Sequence, residues 1–285
     1  MTDTQQFVEI GGVHVPRLIY GTAWKEDETR SLAAMALQIG FRGIDTANQR
    51  RHYHEAGVGE AVTAAIENGL IARDELFLQT KFTSLSGQDQ RLPYDAEAPV
   101  AQQVQQSFAS SLEHLGVERI DSYVLHGPMY QTGLCDDDWA AWRAMEAIYD
   151  GGQARLLGVS NVGLEQLESL YRDARVKPRV VQNRCFAVRG WDRSVREFCR
   201  AHDMLYQGFS LLTANRQVLA DPHVECIAER HDRSPSEIIF RFALAVGMIA
   251  LTGTTDADHM RADLAVLGFE LDAKEIKRIE RVAVD

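Results

Sequence analysis

The chain has 285 residues, of which 45% are hydrophobic and 25% charged, an ordinary globular composition. Its formal net charge of -11 argues against a protein that coats nucleic acid or an anionic membrane. The four cysteines are widely spaced without a CxxC pair, which argues against a disulfide framework or a zinc site. Because no signal peptide is visible and no apolar stretch approaches the roughly 20 residues that span a bilayer, we expect a cytoplasmic protein.

Short apolar runs alternate with longer amphipathic runs along the chain. The apolar runs are nearly free of polar residues, as expected of parallel strands buried on both faces, and the longer runs have the i, i+3, i+4 apolar spacing of helices. Strands are predicted at 17–22, 43–47, 76–82, 121–127, 154–161, 179–186, 204–212 and 248–254. Helices are predicted at 29–40, 55–69, 100–116, 138–152, 164–174, 192–202, 224–232, 234–247 and 259–269.

This alternation, with no linker, predicts one closed (β/α)₈ TIM barrel as a single domain over residues 1–285. The alternative is a doubly wound open sheet, but the GxGxxG turn of a dinucleotide-binding open sheet is absent after the first strand. Ile10-Gly11-Gly12-Val13 indicates a β-hairpin before the barrel, which we place at the barrel floor.

Four ionisable residues lie in or just after the predicted strands: Asp45, Tyr53, Lys81 and His126. In a barrel of this kind the active site lies at the carboxyl ends of the strands. Lys81 stands within an apolar run and needs a carboxylate partner, for which Asp45 on the adjacent strand is the candidate. Each residue has a structural alternative (a helix cap, a loop aromatic, a snorkelling lysine, a core histidine), but their convergence at one barrel mouth favours a site.

The chemistry that such a set supports is acid catalysis by a phenol. A free tyrosine has a pKa near 10, and a nearby lysine ammonium stabilises its phenolate while an aspartate keeps that lysine charged. His126 is placed to orient a substrate carbonyl. His52 and His54 alternate closely, but no third ligand is suggested, so we predict no metal site.

Several segments match the aldo-keto reductase superfamily, which the chain resembles over almost its whole length. They are GTAW (21–24), GFRGIDTA (40–47), EAGVGEAV (55–62), LQTKF (78–82), YVLHGP (123–128), ARLLGVSN (154–161), VVQN (180–183) and YQGFSLL (206–212). The resemblance implies an NAD(P)H-dependent oxidoreductase that reduces aldehyde or ketone carbonyls to alcohols. The catalytic tetrad that it implies consists of Asp45, Tyr53, Lys81 and His126.

The resemblance also implies a cofactor site. Ser160, Asn161 and Gln182 would hold the nicotinamide carboxamide, and Phe209 would stack on the ring. The other residues implied to contact the cofactor are Thr22, Asp45, Ser210, Leu212, Gly253, Thr254, Thr255, His259 and Asp263.

NADP(H) is the cofactor expected on family grounds, with NAD(H) as the alternative. Gly253 and His259 stand where the family usually has basic residues for the 2′-phosphate. Thr254 and Thr255, at a helix start, are expected to bind an anion through hydroxyl and backbone N–H groups.

The loop after the second strand leaves the proton donor open. The family usually places its tyrosine five residues after the aspartate, where this chain has Arg50, and counting back from Glu55 selects His52. We expect a loop insertion that still brings Tyr53 into the site.

Two other functions remain open: a catalytically impaired, cofactor-binding regulatory protein on the same barrel, and a barrel isomerase or lyase that uses Lys81 as a Schiff base. The expected partner is a small carbonyl substrate rather than nucleic acid or membrane, and the expected state is a monomer or weak homo-oligomer.

Overall fold

A computed structural model of the chain describes residues 6–283. A hairpin of β1 (Phe7–Ile10) and β2 (Val13–Pro16) precedes the barrel strands. These strands are β3 (Leu18–Gly21), β4 (Gly43–Asp45), β5 (Phe77–Phe82), β6 (Ile120–Leu125), β7 (Ala154–Ser160), β8 (Val180–Arg184), β9 (Leu205–Phe209) and β10 (Met248–Thr252). They pair in the closed order β10-β3-β4-β5-β6-β7-β8-β9, and every neighbouring pair is parallel. The prediction of a (β/α)₈ barrel is confirmed.

The helices surround the barrel. They are α1 (Thr29–Ile39), α2 (Glu55–Glu67), α3 (Val100–Leu115), α4 (Asp136–Asp150), α5 (Leu164–Asp173), α6 (Arg193–Ala201), α7 (Arg216–Leu219), α8 (Pro222–His231), α9 (Pro235–Ala245), α10 (Ala257–Ala265) and α11 (Ala273–Arg281). Between residues 6 and 283, no helix has the length and apolar character needed to cross a membrane.

Several observed strands end before the predicted ones, because the chain turns sharply at the barrel mouth. The predicted strand 204–212 ends at Phe209, since Ser210 adopts a φ of 56° that an extended strand does not allow. Asn161, with a φ of 53°, turns the chain in the same way after β7. Both turns direct polar side chains towards the mouth.

The hairpin closes the opposite end of the barrel, as predicted. Its strands are antiparallel, with Val8 opposite Val15, and the turn between them uses Gly11 and Gly12 at φ values of 55° and 73°. Its inward side chains form one buried apolar cluster with residues of the barrel interior: Ile10, Val13, Val15, Ile19, Phe77, Leu156, Val180, Ile249 and Leu251. The floor is therefore a packed hydrophobic layer.

Above this floor the barrel interior becomes polar. Along β5, Phe77 belongs to the floor cluster, whereas Leu78 and Phe82 pack outwards against the helices. Since side chains alternate along a strand, Gln79 and Lys81 follow Phe77 on the inner face. Both are fully buried. From the floor to the mouth, the side chains inside the barrel thus change from apolar groups to amides and then to charged groups.

Candidate active site

A cleft of about 1340 Å³ opens at the carboxyl ends of the barrel strands. Residues that the sequence predicts for the site account for a large part of its lining: Asp45, Tyr53, His126, Ser160, Asn161, Gln182, Phe209, Ser210, Leu212, Gly253, Thr254, His259 and Asp263. Lys81 lies just beneath the cleft surface with no solvent exposure. The cleft is therefore the place where catalytic and cofactor-binding groups can meet.

Lys81 and Asp45 form a buried ion pair below the cleft. Lys81 Nζ donates to both carboxylate oxygens of Asp45, at 2.7 and 2.8 Å, and to the carbonyl oxygen of Thr46 at 2.8 Å. Burial lowers the pKa of Lys81 because it disfavours the ammonium ion, and the charge of Asp45 acts in the opposite direction. All three ammonium hydrogens are used, so the lysine is held in one position.

The loop after β4 brings Tyr53 against this ion pair. The N–H groups of His52 and Tyr53 both donate to the carbonyl oxygen of Gln49, which folds the loop into a compact turn. Lys81 Nζ lies 5.2 Å from the centre of the Tyr53 ring, and the ring meets His126 edge-on with centroids 5.9 Å apart.

His52 takes a different place in the same loop. Its imidazole stacks on Trp24 with ring centroids 3.9 Å apart, and its carbonyl oxygen accepts the N–H of Trp24 at 2.7 Å. Both rings line the cleft, but no ring contact joins His52 to Lys81 or His126 among the described residues. Of the two candidates, Tyr53 is therefore the one that the structure brings to the ion pair.

The electrostatics of Tyr53 differ from the sequence-based expectation. Burial raises the pKa of Tyr53, and the negative charge of Asp45 raises it further. In this site the ion pair therefore does not make the phenol more acidic. Tyr53 consequently holds its proton throughout the neutral pH range.

His126 is a neutral imidazole at the mouth. Burial lowers its pKa to about 3, with smaller contributions from the positive charges of Lys81 and His52. Its Nδ1 lies 2.6 Å from the hydroxyl oxygen of Thr83. This contact engages one ring nitrogen and leaves Nε2 for other partners.

Three polar side chains cluster at the ends of β7 and β8. Asn161 Nδ2 donates to the carbonyl oxygen of His126 at 2.8 Å and to Ser160 Oγ at 3.2 Å. Ser160 Oγ donates to the carbonyl oxygen of Gln182 at 2.6 Å. Gln182 Nε2 donates into the barrel, to Asp45 Oδ1 at 3.0 Å and to Gln207 Oε1 at 2.9 Å. The cluster joins the ion pair to the cleft wall.

The segment after β10 departs from what the sequence predicts. Asp256 caps α10, and its Oδ1 accepts the N–H groups of Asp258 at 2.8 Å and His259 at 2.9 Å. A carboxylate of the chain therefore already occupies two of the N–H groups at this helix start, and the binding of an anion by Thr254 and Thr255 stays a prediction. Thr255 lies outside the cleft lining, and Thr254 accepts the N–H of Asp256.

Thr22 does not line the cleft either. It is fully buried, and its Oγ1 donates to the carbonyl oxygen of Asp45 at 2.9 Å, which ties β3 to β4. Lys25, three residues further along the chain, is a group that the sequence analysis missed. Its Nζ donates to the carbonyl oxygen of Gly253 and places a positive charge at the loop after β10.

Two buried glutamines were also missed. Gln79 and Gln207 have no solvent exposure, and they connect Asp45 with Gln182 inside the barrel. The signal that could have found them is the two-residue alternation of a strand, because Gln79 precedes Lys81 by two and Gln207 precedes Phe209 by two.

Known proteins share this architecture. The model of the Aldo/keto reductase family matches residues 10–284. The uncharacterized oxidoreductase YtbE of Bacillus subtilis is 30% identical over 94% of this chain and 89% of its own, and glyoxal reductase of the same organism is 29% identical over 91% and 84%. A crystal structure of an aldo/keto reductase from Brucella melitensis superposes with a TM-score of 0.79 at 29% identity, covering 95% of this chain and 96% of the other. The chain therefore belongs to the aldo/keto reductase family.

Proposed function

We propose that the chain reduces aldehyde or ketone carbonyls to alcohols with Tyr53 as the proton donor. The observation that carries the proposal is the position of the Tyr53 ring, which contacts His126 and lies 5.2 Å from the ammonium of Lys81. His52, the competing candidate, stacks on Trp24 instead.

The cleft fits a nicotinamide cofactor. A carboxamide needs both donors and acceptors, and Ser160, Asn161 and Gln182 supply hydroxyl and amide groups at adjoining strand ends. Phe209 lines the same cleft and offers a flat apolar face to a ring. A bound nicotinamide would supply the hydride for the carbonyl carbon.

NADP(H) is the cofactor that we propose, with NAD(H) as the alternative. A neighbour in fold, an aldo-keto reductase at 22% identity, is described as complexed with NADPH. Lys25 beside Gly253 adds a positive charge near the loop after β10, which favours a phosphate there. Asp258 and Asp263 line this end of the cleft and oppose it. We therefore expect NADPH to bind with only a small advantage over NADH.

The remaining residues prepare the carbonyl for reduction. In the tautomer in which Nδ1 accepts from the Thr83 hydroxyl, the neutral His126 carries its proton on Nε2 and can donate to the carbonyl oxygen. Tyr53, held protonated, then delivers a proton to that oxygen. The receiving oxygen is an alkoxide, a strong base, so a phenol with a raised pKa is still an adequate acid.

The replacement of Tyr53 by Phe tests the proposal. We expect Tyr53→Phe to lower kcat for a small aldehyde by about 10²- to 10⁴-fold, the usual contribution of a general acid, with an unchanged Kd for NADPH in a fluorescence titration. His52→Gln is the matched comparison, and we expect a much smaller loss. If His52→Gln abolishes turnover while Tyr53→Phe does not, His52 is the donor.

A second candidate is a cofactor-binding protein with impaired catalysis, which Arg50 favours because it stands where the family usually has its tyrosine. Tight binding of NADPH with no turnover across a panel of aldehydes and ketones would support it. A Schiff-base enzyme is disfavoured, because a nucleophilic amine must be neutral and Lys81 donates all three hydrogens to Asp45 and Thr46. Borohydride should therefore trap no adduct on Lys81.

A further inference from the structure

A closed ring of hydrogen bonds lies inside the barrel directly below the cleft. Gln79 Nε2 donates to Asp45 Oδ1 and to Gln207 Oε1, both at 2.7 Å. Gln182 Nε2 donates to the same two oxygens, at 3.0 and 2.9 Å. Gln207 Nε2 completes the set by donating to Gln79 Oε1 at 3.0 Å. Gln79 and Gln207 do not line the cleft, so the ring reaches solvent only through Gln182 and Asp45.

The charge of Asp45 fixes the orientation of every amide in this ring. A carboxylate paired with Lys81 can only accept, so the atoms of Gln79 and Gln182 that face it must be their nitrogens. Those two nitrogens also face one atom of Gln207, which must then be its oxygen. The Gln207 nitrogen is left to face the oxygen of Gln79. A reversed Gln182 amide would bring its oxygen against two acceptors.

The ring also braces the barrel across its width. Gln79 is on β5 and Gln207 on β9, which are four strands apart in either direction around the closed sheet. Their two mutual hydrogen bonds, at 2.7 and 3.0 Å, therefore join opposite walls of the lumen. Gln182 is on β8, the strand next to that of Gln207, and its amide nitrogen is hydrogen-bonded to Gln207 and to Asp45.

We propose that Gln79 and Gln207 are positioning residues that turn the Gln182 amide so that its oxygen faces the cleft, which makes the site select a ligand with a carboxamide N–H donor. Both hydrogens of Gln182 Nε2 are used inside the ring, and the oxygen is the atom left for a ligand. This inference rests on the proposed binding of a nicotinamide cofactor at Gln182.

The test compares NADP⁺ with its 3-acetylpyridine analogue, in which a methyl group replaces the carboxamide nitrogen. Wild-type protein should bind NADP⁺ about tenfold more tightly, as measured by calorimetry, because the analogue cannot donate to Gln182. Gln207→Met keeps a side chain of similar length but removes one acceptor for Gln182 Nε2. We expect the ratio of the two Kd values to fall about threefold or more in Gln207→Met.

Two further variants separate orientation from a general loss of structure. Gln103→Met removes a buried amide in α3 that donates to the carbonyl oxygens of Ala96 and Ala98, far from the ring, and it should keep the wild-type ratio. Gln79→Met loosens Gln207 without touching Gln182 and should lower the ratio less than Gln207→Met. It also serves as the test if Gln207→Met does not fold.

The outcomes distinguish this inference from the proposed function. The positioning role would be overturned if Gln207→Met kept the wild-type ratio of the two Kd values. It would also be overturned if this ratio fell as much in Gln103→Met as in Gln207→Met. If neither dinucleotide binds the wild-type protein, the proposed function fails instead.

Discussion

Asp263 is a buried carboxyl group at the outer end of the cleft, with 5% of its surface exposed. Its Oδ2 accepts the Thr252 hydroxyl at 2.6 Å, but burial outweighs this bond and raises the pKa of Asp263 to about 6. Between its ordinary pKa of 3.8 and this value the folded chain binds more protons than the unfolded chain. Stability contributed by the protonated form is therefore lost as the pH rises through this window.

Asp263→Asn should remove the loss of stability that the buried carboxylate causes at high pH, because an amide oxygen can still accept the Thr252 hydroxyl and carries no charge. We expect the free energy of unfolding to rise by about 2 kcal/mol at pH 8 and to change little at pH 4. Urea unfolding at the two pH values measures the difference. The control is Asp258→Asn on the same helix, whose side chain is 91% exposed, and it should be nearly neutral. A gain of equal size at both pH values would contradict the role assigned to burial.

At the same scale, the sequence located the charged groups better than the neutral ones. Asp45 and Lys81 could be paired in advance because an unpaired lysine in an apolar strand is costly. Gln79 and Gln207 carry no charge, and in strands buried on both faces only their two-residue spacing from Lys81 and Phe209 indicates that they face the lumen. The choice between His52 and Tyr53 depends on one compact turn at Gln49, which loop composition does not specify.

Among the elements, α2 and α3 approach each other very closely at Gly59. A Cβ built at Gly59 would lie 1.8 Å from the carbonyl oxygen of His114, so the backbones themselves are in contact. At the same junction His114 Nδ1 lies 3.0 Å from Glu55 Oε2, and the buried Glu55 accepts the hydroxyl of Thr80 from the outer face of β5. The glycine therefore sets the distance between the helices that precede and follow β5.

Gly59→Ala should destabilise the fold although alanine is the better helix former. Overpacking against a backbone carbonyl usually costs about 1–3 kcal/mol, which exceeds the gain of up to about 1 kcal/mol in helix propensity. The matched control is Gly57→Ala in the same helix, where the nearest atom is 3.3 Å from the built Cβ. Denaturant midpoints of the two variants check the prediction, and equal midpoints would mean that α3 moves away without cost.

The limits of sequence reasoning about elements are clearest at α10. Apolar periodicity placed a helix at 259–269, close to the observed Ala257–Ala265. Several residue types at 254–256 are good helix caps, so composition did not decide among Thr254, Thr255 and Asp256. The choice matters, because capping by Asp256 places a carboxylate on the N–H groups of Asp258 and His259, beside the threonines at which an anion was expected.

For the molecule as a whole, the two ends of the barrel separate stability from function. The hairpin floor is an apolar cluster of which one buried member, Leu251, also lines the cleft, and the mouth holds the ion pair and the amide ring above it. The alternation of strands and helices was enough to predict this division, since a parallel barrel carries its active site at the carboxyl ends of its strands. Changes at the floor should then affect folding without affecting the chemistry.

Ile10→Ala tests this separation. Ile10 is 4% exposed and packs in the floor cluster, and truncation of a buried isoleucine to alanine costs about 2–5 kcal/mol. We expect a lower denaturant midpoint, with kcat and the Kd for NADPH unchanged at a temperature where the variant is fully folded. Leu70→Ala, at a position that is 41% exposed, controls for the loss of an aliphatic side chain and should change the midpoint much less. A fall in kcat in the folded Ile10→Ala variant would mean that a change in floor packing alters the geometry of the Asp45–Lys81 pair. The amide ring would then not protect the mouth from changes in the packing beneath it.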